Sequence, residues 1–152
     1  NKLSRSLMVV GVALGCEVVV ITPEGYEVDE NIIKLTHARA QQYGGKLTVS
    51  TDINAANGSH ILYTDTWLSM GDETPLADIK DTFAGYEINE ALMEKTGAEY
   101  VLQCQTANRD LEISSSLIDS DASLLMQQAE NRMHGQNAIL VQLLASGFKP
   151  RN

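Results

Sequence analysis

Residues 17–22 read EVVVIT, a β-branched and nearly continuous apolar run. A strand that alternates apolar and polar residues can leave one face in water. A run without alternation is a strand buried on both faces, as in a parallel sheet covered by helices. The flanking sequence supplies such helices. Residues 6–14 read as a helix that Gly15 ends. Residues 29–43 read as a second, with Ile32, Ile33, Leu35, Ala38 and Ala40 among polar residues and Gly44 and Gly45 as its stop.

The alternation continues along the chain. Short strands are predicted over 46–50 (KLTVS), 60–64 (HILYT), 99–103 (EYVLQ) and 123–126. Helices are predicted over 75–83, 89–95 and 129–145, and a helical turn over 52–57 with Gly58 as its cap. Residues 108–121 are polar and loop-like, with room for one helical turn. No internal repeat, linker or low-complexity tract divides the 152 residues, so residues 1–152 read as one domain. The expected fold is α/β, a Rossmann-like three-layer sandwich around one mostly parallel sheet. Ligands of such sheets sit beyond the carboxyl ends of the strands, which directs attention to the loops after Thr22, Thr64 and Gln103.

Charge narrows the partners. Eleven Lys and Arg against twenty Asp and Glu give a net charge of −9. That disfavours a nucleic-acid backbone or an anionic membrane surface, though not a small anion held by one or two cations. Two cysteines, Cys16 and Cys104, make no disulfide scaffold, and a reducing, cytoplasmic setting is the simpler expectation. No C-x-x-C or H-x₃₋₅-H pair suggests a metal site. The longest apolar stretch, residues 7–14, is too short to span a bilayer. Neither G-x-G-x-x-G nor a Walker sequence is present. His37, His60 and His134 share no ligand spacing, and no Ser, His and Asp form a nucleophile set. A start at Asn-Lys without an initiator Met reads as a processed end or a piece of something longer.

Three segments could carry chemistry. In the loop after residues 60–64, Asp65 stands where a carboxylate can meet a ligand amine, while Ser69 and the backbone of Met70 can receive a carboxylate. The alternative is that Asp65 caps a turn and Trp67 is packing. After residues 99–103, Cys104 is either a reactive or polar thiol or a small buried hydrophobe. At Glu130-Asn131-Arg132, a helix start and a guanidinium would attract an anion, unless Arg132 is an ordinary surface arginine.

Together these segments resemble the ornithine carbamoyltransferase family, in its second, ornithine-binding domain, over essentially the whole chain. The residues 65–71 read D-T-W-L-S-M-G, similar to the family's D-T-W-x-S-M-G. Residues 22–27 read T-P-E-G-Y-E, similar to its T-P-x-G-Y turn, with Val28 where proline is usual. Glu130-Asn131-Arg132 matches its E-N-R, and Ser6-Leu7-Met8 looks like its first helix. The resemblance implies that Asp65 binds the ornithine α-amino group and that Ser69 and Met70 help fix the amino acid. It also implies that Cys104 sits beside the reacting amine and that Arg132 contacts the carbamoyl group or phosphate of carbamoyl phosphate. No cofactor and no metal are implied. A cytoplasmic location is, or the mitochondrial matrix in a eukaryote.

The departures are specific. The family's H-C-L-P reads Gln103-Cys104-Gln105-Thr106, and Gln103 cannot become a cation. Lys2 occupies the asparagine position expected to bind the ornithine carboxylate, and Arg5 replaces the usual His or Asn. The carbamoyl phosphate domain with its S-x-R-T motif is not in this sequence, nor is the strand and G-D turn expected before Asn1. The sheet is therefore expected to lack its first strand. A second chain, a swapped segment or another molecule is expected to cover the open edge, as protein partner or by self-association.

Two functions follow. One is the ornithine-like amino-acid-binding part of a carbamoyltransferase, inactive as this chain alone and meeting carbamoyl phosphate only with a partner domain. The other is a non-catalytic relative serving as a structural or interaction module. Asp65, Ser69, Met70, Cys104 and Arg132 favour the first, and Gln103, Gln105, Thr106 and Lys2 the second. On either, Asp65, Cys104 and Arg132 should converge on one edge of the sheet.

Overall fold

The computed structural model describes residues 2–68 and 73–145. Helix α1 (Lys2–Ala13) leads into strand β1 (Glu17–Ile21), helix α2 (Glu30–Tyr43) and strand β2 (Lys46–Ser50). A 3₁₀ turn (Ile53–Ala56) precedes β3 (Ile61–Thr64). Helices α3 (Leu76–Thr82) and α4 (Glu90–Thr96) follow, then β4 (Tyr100–Gln103), the short α5 (Ser115–Ile118) and the long α6 (Leu125–Ala145).

Local chemistry sets these boundaries. Asp29 caps α2 by accepting the Asn31 N–H at 2.8 Å, and Gly44 ends the helix in the left-handed conformation with φ 79°. Asn89 caps α4 through the Leu92 N–H, and Gly97 ends it the same way. Gly45 is required for a different reason. A Cβ there would fall 2.7 Å from the Val12 Cα, so only glycine lets the chain leaving α2 cross the end of α1.

All strand pairing in the two named sheets is parallel. β1 pairs with β2 from Glu17 opposite Lys46 to Ile21 opposite Ser50. β3 pairs with β4 from Ile61 opposite Tyr100 to Thr64 opposite Gln103. These are two separate two-stranded sheets, so the single sheet expected from the sequence is divided. Among the described residues no ladder joins β1 to β3. The division also explains why the β-branched run of β1 is only half-buried from Val18 to Ile21: its fully buried pattern suits a strand with neighbours on both sides.

Each sheet has its own apolar cluster. Met8 and Val12 on α1, one turn apart, meet Ala40 and Leu47, with Val18, Val20, Ile32 and Ile33 around them. The second cluster joins Leu62 and Val101 of the β3–β4 pair to Ile88, Met93, Ile113, Leu117 and Leu125, and Ile21 of β1 packs against it.

Two further expectations need correction. The predicted last strand over 123–126 is one parallel bridge, Ser123 to Val101, because the chain is already helical at Leu125. The Gln128 N–H donates to the Leu124 carbonyl at 2.9 Å and closes that first turn. The closing helix therefore begins at Leu125 rather than at residue 129, and Arg132 lies about two turns inside it instead of opening it. No described helix is long and apolar enough to cross a membrane.

Candidate functional site

The carboxyl ends of β3 and β4 lie side by side, and the residue after each strand turns toward the other. The Asp65 Oδ1 accepts the Thr66 N–H at 2.8 Å and the Cys104 thiol at 2.9 Å. Its Oδ2 meets the Ser4 hydroxyl of α1 at 3.5 Å, a long contact that leaves the oxygen able to take a stronger donor. Burial pushes the Cys104 thiol up to about 11, and donation to Asp65 adds to the rise. At neutral pH Cys104 is thus a protonated donor, not a thiolate nucleophile.

Beneath this pair is a polar cluster whose centre is fully buried. Gln103 and Glu112 are both 0% exposed. The Gln103 Nε2 donates to Glu112 Oε1 at 3.3 Å, and the Gln103 Oε1 accepts the Gln105 N–H. Glu112 also accepts the Asn108 N–H at 2.7 Å and the Asn108 side-chain amide. Burial pushes the Glu112 carboxyl above the usual carboxylate range, and these donors pull against it. The Asn108 amide reaches the Thr66 hydroxyl at 3.4 Å, so the loops after β3 and β4 are tied together twice. The Gln105–Thr106 peptide bond is cis.

A cavity of about 770 Å³ opens beside this cluster, with Leu3, Gln103, Cys104, Thr106, Gln128 and Arg132 among its walls. Gln128 is held by its Nε2, which donates to the Tyr63 hydroxyl at 2.9 Å. Arg132 is solvent-exposed on α6 and reaches the wall from there. Its location inside the helix removes the expected help from a helix N-terminus, leaving the guanidinium itself as the anion donor.

Of the residues singled out from the sequence, Asp65, Cys104, Gln103 and Arg132 gather at this one end of the strands. Lys2 is the first residue of α1, with its side chain outside the described ones. Ser69 and Met70 lie outside the described residues altogether. Glu112 and Asn108 were not anticipated. They sit in a stretch that reads as polar loop, and nothing in the local pattern distinguishes a buried Glu from a solvated one. Among the described residues no three His, Cys, Asp or Glu cluster as metal ligands do.

The arrangement offers a carboxylate for an amine, a neutral thiol donor beside it and a guanidinium across a cavity. It defines a parallel α/β domain with polar and charged side chains gathered at the carboxyl ends of two of its strands, the place where such folds receive ligands. The chain belongs to the aspartate/ornithine carbamoyltransferase family as its Asp/Orn-binding domain, whose family model matches residues 1–143. The chain is 46% identical over 145 residues to ornithine carbamoyltransferase of Shewanella oneidensis, covering 95% of this chain and 48% of that protein. The structure of ornithine carbamoyltransferase from Pyrococcus furiosus superposes with a TM-score of 0.84 at 37% identity, covering 91% of this chain and 45% of that one. An acetylornithine transcarbamylase complexed with acetylcitrulline matches with a TM-score of 0.80 at 26% identity over 92% of this chain and 43% of that one. The chain spans about half the length of the relatives it matches.

Proposed function

We propose that this chain is the amino-acid-binding half of a carbamoyltransferase, receiving an ornithine-like diamino acid that attacks carbamoyl phosphate held by a partner domain. The observation that carries the reading is the Asp65–Cys104 pair at the ends of β3 and β4, whose Cys104 lines a cavity that Arg132 also borders. Asp65 takes the α-ammonium through Oδ2. Ser69, Met70 and Lys2 fix the α-carboxylate. Cys104, a neutral donor at pH 7, lies next to the side-chain amine, and Gln103 holds the loop behind it.

The reaction is attack of a neutral amine on the carbamoyl carbon. The new N–C bond forms as the C–O bond to phosphate breaks, and the surplus amine proton leaves with the phosphate. Such a step needs alignment and charge stabilisation rather than a covalent intermediate. Arg132 would stabilise the charge that grows on the carbamoyl oxygen or the departing phosphate. The carbamoyl phosphate clamp belongs to the partner domain, so this chain alone binds the amino acid without transferring a carbamoyl group.

The open strand edges belong to the same reading. β1 and β3 each end a two-stranded parallel sheet, and one added parallel strand between them would complete a Rossmann-like sheet. We assign that strand to the segment that joins this domain to the one holding carbamoyl phosphate, on the same polypeptide or another.

Calorimetry with L-ornithine tests the amino-acid reading. A half-site with charge-assisted contacts to the ammonium and the carboxylate, about 1.5–3 kcal/mol each, should bind at about millimolar Kd. Loss of that binding in Asp65→Ala is the expected result. Equal binding by the two proteins contradicts the assigned cradle.

A further inference from the structure

Four of the chain's eight aromatic residues (five Tyr, two Phe and one Trp) form one cluster that the amino-acid site does not use. Trp67 stacks on Phe83 with centroids 4.7 Å apart and planes 19° from parallel. Tyr26 meets the edge of Phe83 at 5.0 Å, and Tyr86 meets it at 6.4 Å. The Tyr86 hydroxyl donates to the Thr51 carbonyl at 2.8 Å. These are favourable aromatic geometries.

The origin of the four rings matters more than their number. Tyr26 belongs to the loop after β1, and Thr51 directly follows β2. Trp67 is three residues past β3 and two past Asp65. Phe83 is the C-cap of α3, and Tyr86 follows it. The cluster therefore connects the carboxyl-end loops of one half-sheet to those of the other, across a division that no strand ladder bridges. Phe83 is the hub, since each of the three ring contacts includes it.

The segment carrying Asp65 is thus held on two sides. The Asn108 amide contacts Thr66 from the β4 loop, and Phe83, in contact with Tyr26 of the loop after β1, stacks on Trp67. We propose that Phe83 is a positioning residue for amine binding: by stacking on Trp67 while Tyr26 packs on its edge, it fixes the Asp65 segment against the loops of the other half-sheet. This rests on the amino-acid reading above. It adds that affinity for the ligand depends on a ring that does not touch it. An aromatic pair of this kind, lost from the ligand-ready arrangement, corresponds to a two- to tenfold change in affinity, or about 0.5–1.5 kcal/mol.

Trp67 is the only tryptophan, so its emission reports the stack directly. The test is an L-ornithine titration of the parent chain, Phe83→Leu and Phe83→Tyr, read by calorimetry and by Trp67 fluorescence. Phe83→Leu should shift the unliganded emission to the red and raise Kd about three- to tenfold. Phe83→Tyr, which keeps an aromatic ring, should restore both. A Phe83→Leu protein with shifted emission and an unchanged Kd overturns the positioning role. Should Phe83→Leu fail to fold, Tyr26→Leu keeps the Trp67–Phe83 pair and removes only the outer ring. A Kd raised about twofold supports the proposal, and an unchanged Kd overturns it. Binding lost in Asp65→Ala but untouched by the Phe83 variants overturns the positioning role alone. A parent chain that binds no ornithine overturns the amino-acid reading, and the positioning role falls with it.

Discussion

Asp65 serves two kinds of donor at once. Oδ1 is committed to the Thr66 N–H and the Cys104 thiol, while Oδ2 has only a long contact with Ser4 among the described residues that the structure pairs with it. The capping role weighed for Asp65 and the ligand role are therefore compatible, each using a different oxygen. Cys104 resolves in a similar way: it is partly buried, as a structural cysteine would be, yet its thiol is a directed donor. Its proton has a measurable signature. The folded value, about 11, lies above the 9.0 of the free thiol, so the folded chain keeps this proton longer. The stability it contributes is complete below pH 9 and is lost as the pH rises toward 11. The denaturation midpoint of the parent should fall more steeply over that range than that of Cys104→Ser, whose hydroxyl donates but does not ionise. Parallel curves would contradict the assignment. Glu112 is the residue that sequence reading missed. Only the tertiary structure brings Gln103 and Asn108 to it, from nine and four residues away. Glu112→Ala leaves the buried Gln103 amide without this acceptor and frees the Asn108 N–H, and should cost about 1–3 kcal/mol in denaturant unfolding.

At the scale of elements, the strands and helices with strong local signals are where the residues put them. The predicted 46–50 strand is β2 without change, and Asp29 and Gly44 bound α2 as cap and stop. The miss falls at 123–126, a short apolar run. Such a run fits a strand or the first turn of a buried helix equally well, and periodicity cannot choose. Here Leu125 enters the second apolar cluster as part of α6, which decides the matter for the helix. The crossing of α1 and α2 gives a sharper test. Gly45→Ala places a methyl against the backbone of Val12 and should destabilise the chain by about 1–3 kcal/mol or more. Gly25→Ala is a useful comparison, since its positive φ is strained but a Cβ there meets nothing within 4 Å. A smaller loss at Gly45 than at Gly25 would show that the close approach does not limit packing.

For the whole molecule, the divided sheet is the governing fact. Parallel strands in layered α/β domains are normally covered on both faces and paired on both sides. Here β1 and β3 each leave one side unpaired among the described residues, and several apolar side chains of α6 stand in solvent, including Met126, Val141 and Leu144. The α/β class and the parallel pairing were legible because they follow from local runs of residues. The division was legible only through the resemblance, because no local run of residues reports which strands lie side by side. If a partner polypeptide completes the sheet, amide exchange along β1 and β3 should slow markedly on adding it, and citrulline should form from ornithine and carbamoyl phosphate only in the mixture. Citrulline made by the purified chain would refute the need for a partner.

Everything proposed for this chain rests on an amine site at the ends of β3 and β4. An ¹⁵N–¹H NMR titration with L-ornithine tests it most directly, because each backbone amide reports its own surroundings. Saturable shifts are expected, at about millimolar Kd, concentrated at Asp65, Thr66, Cys104 and Gln105 and absent in Asp65→Ala. Shifts confined to other surfaces, or the same shifts in Asp65→Ala, would contradict it.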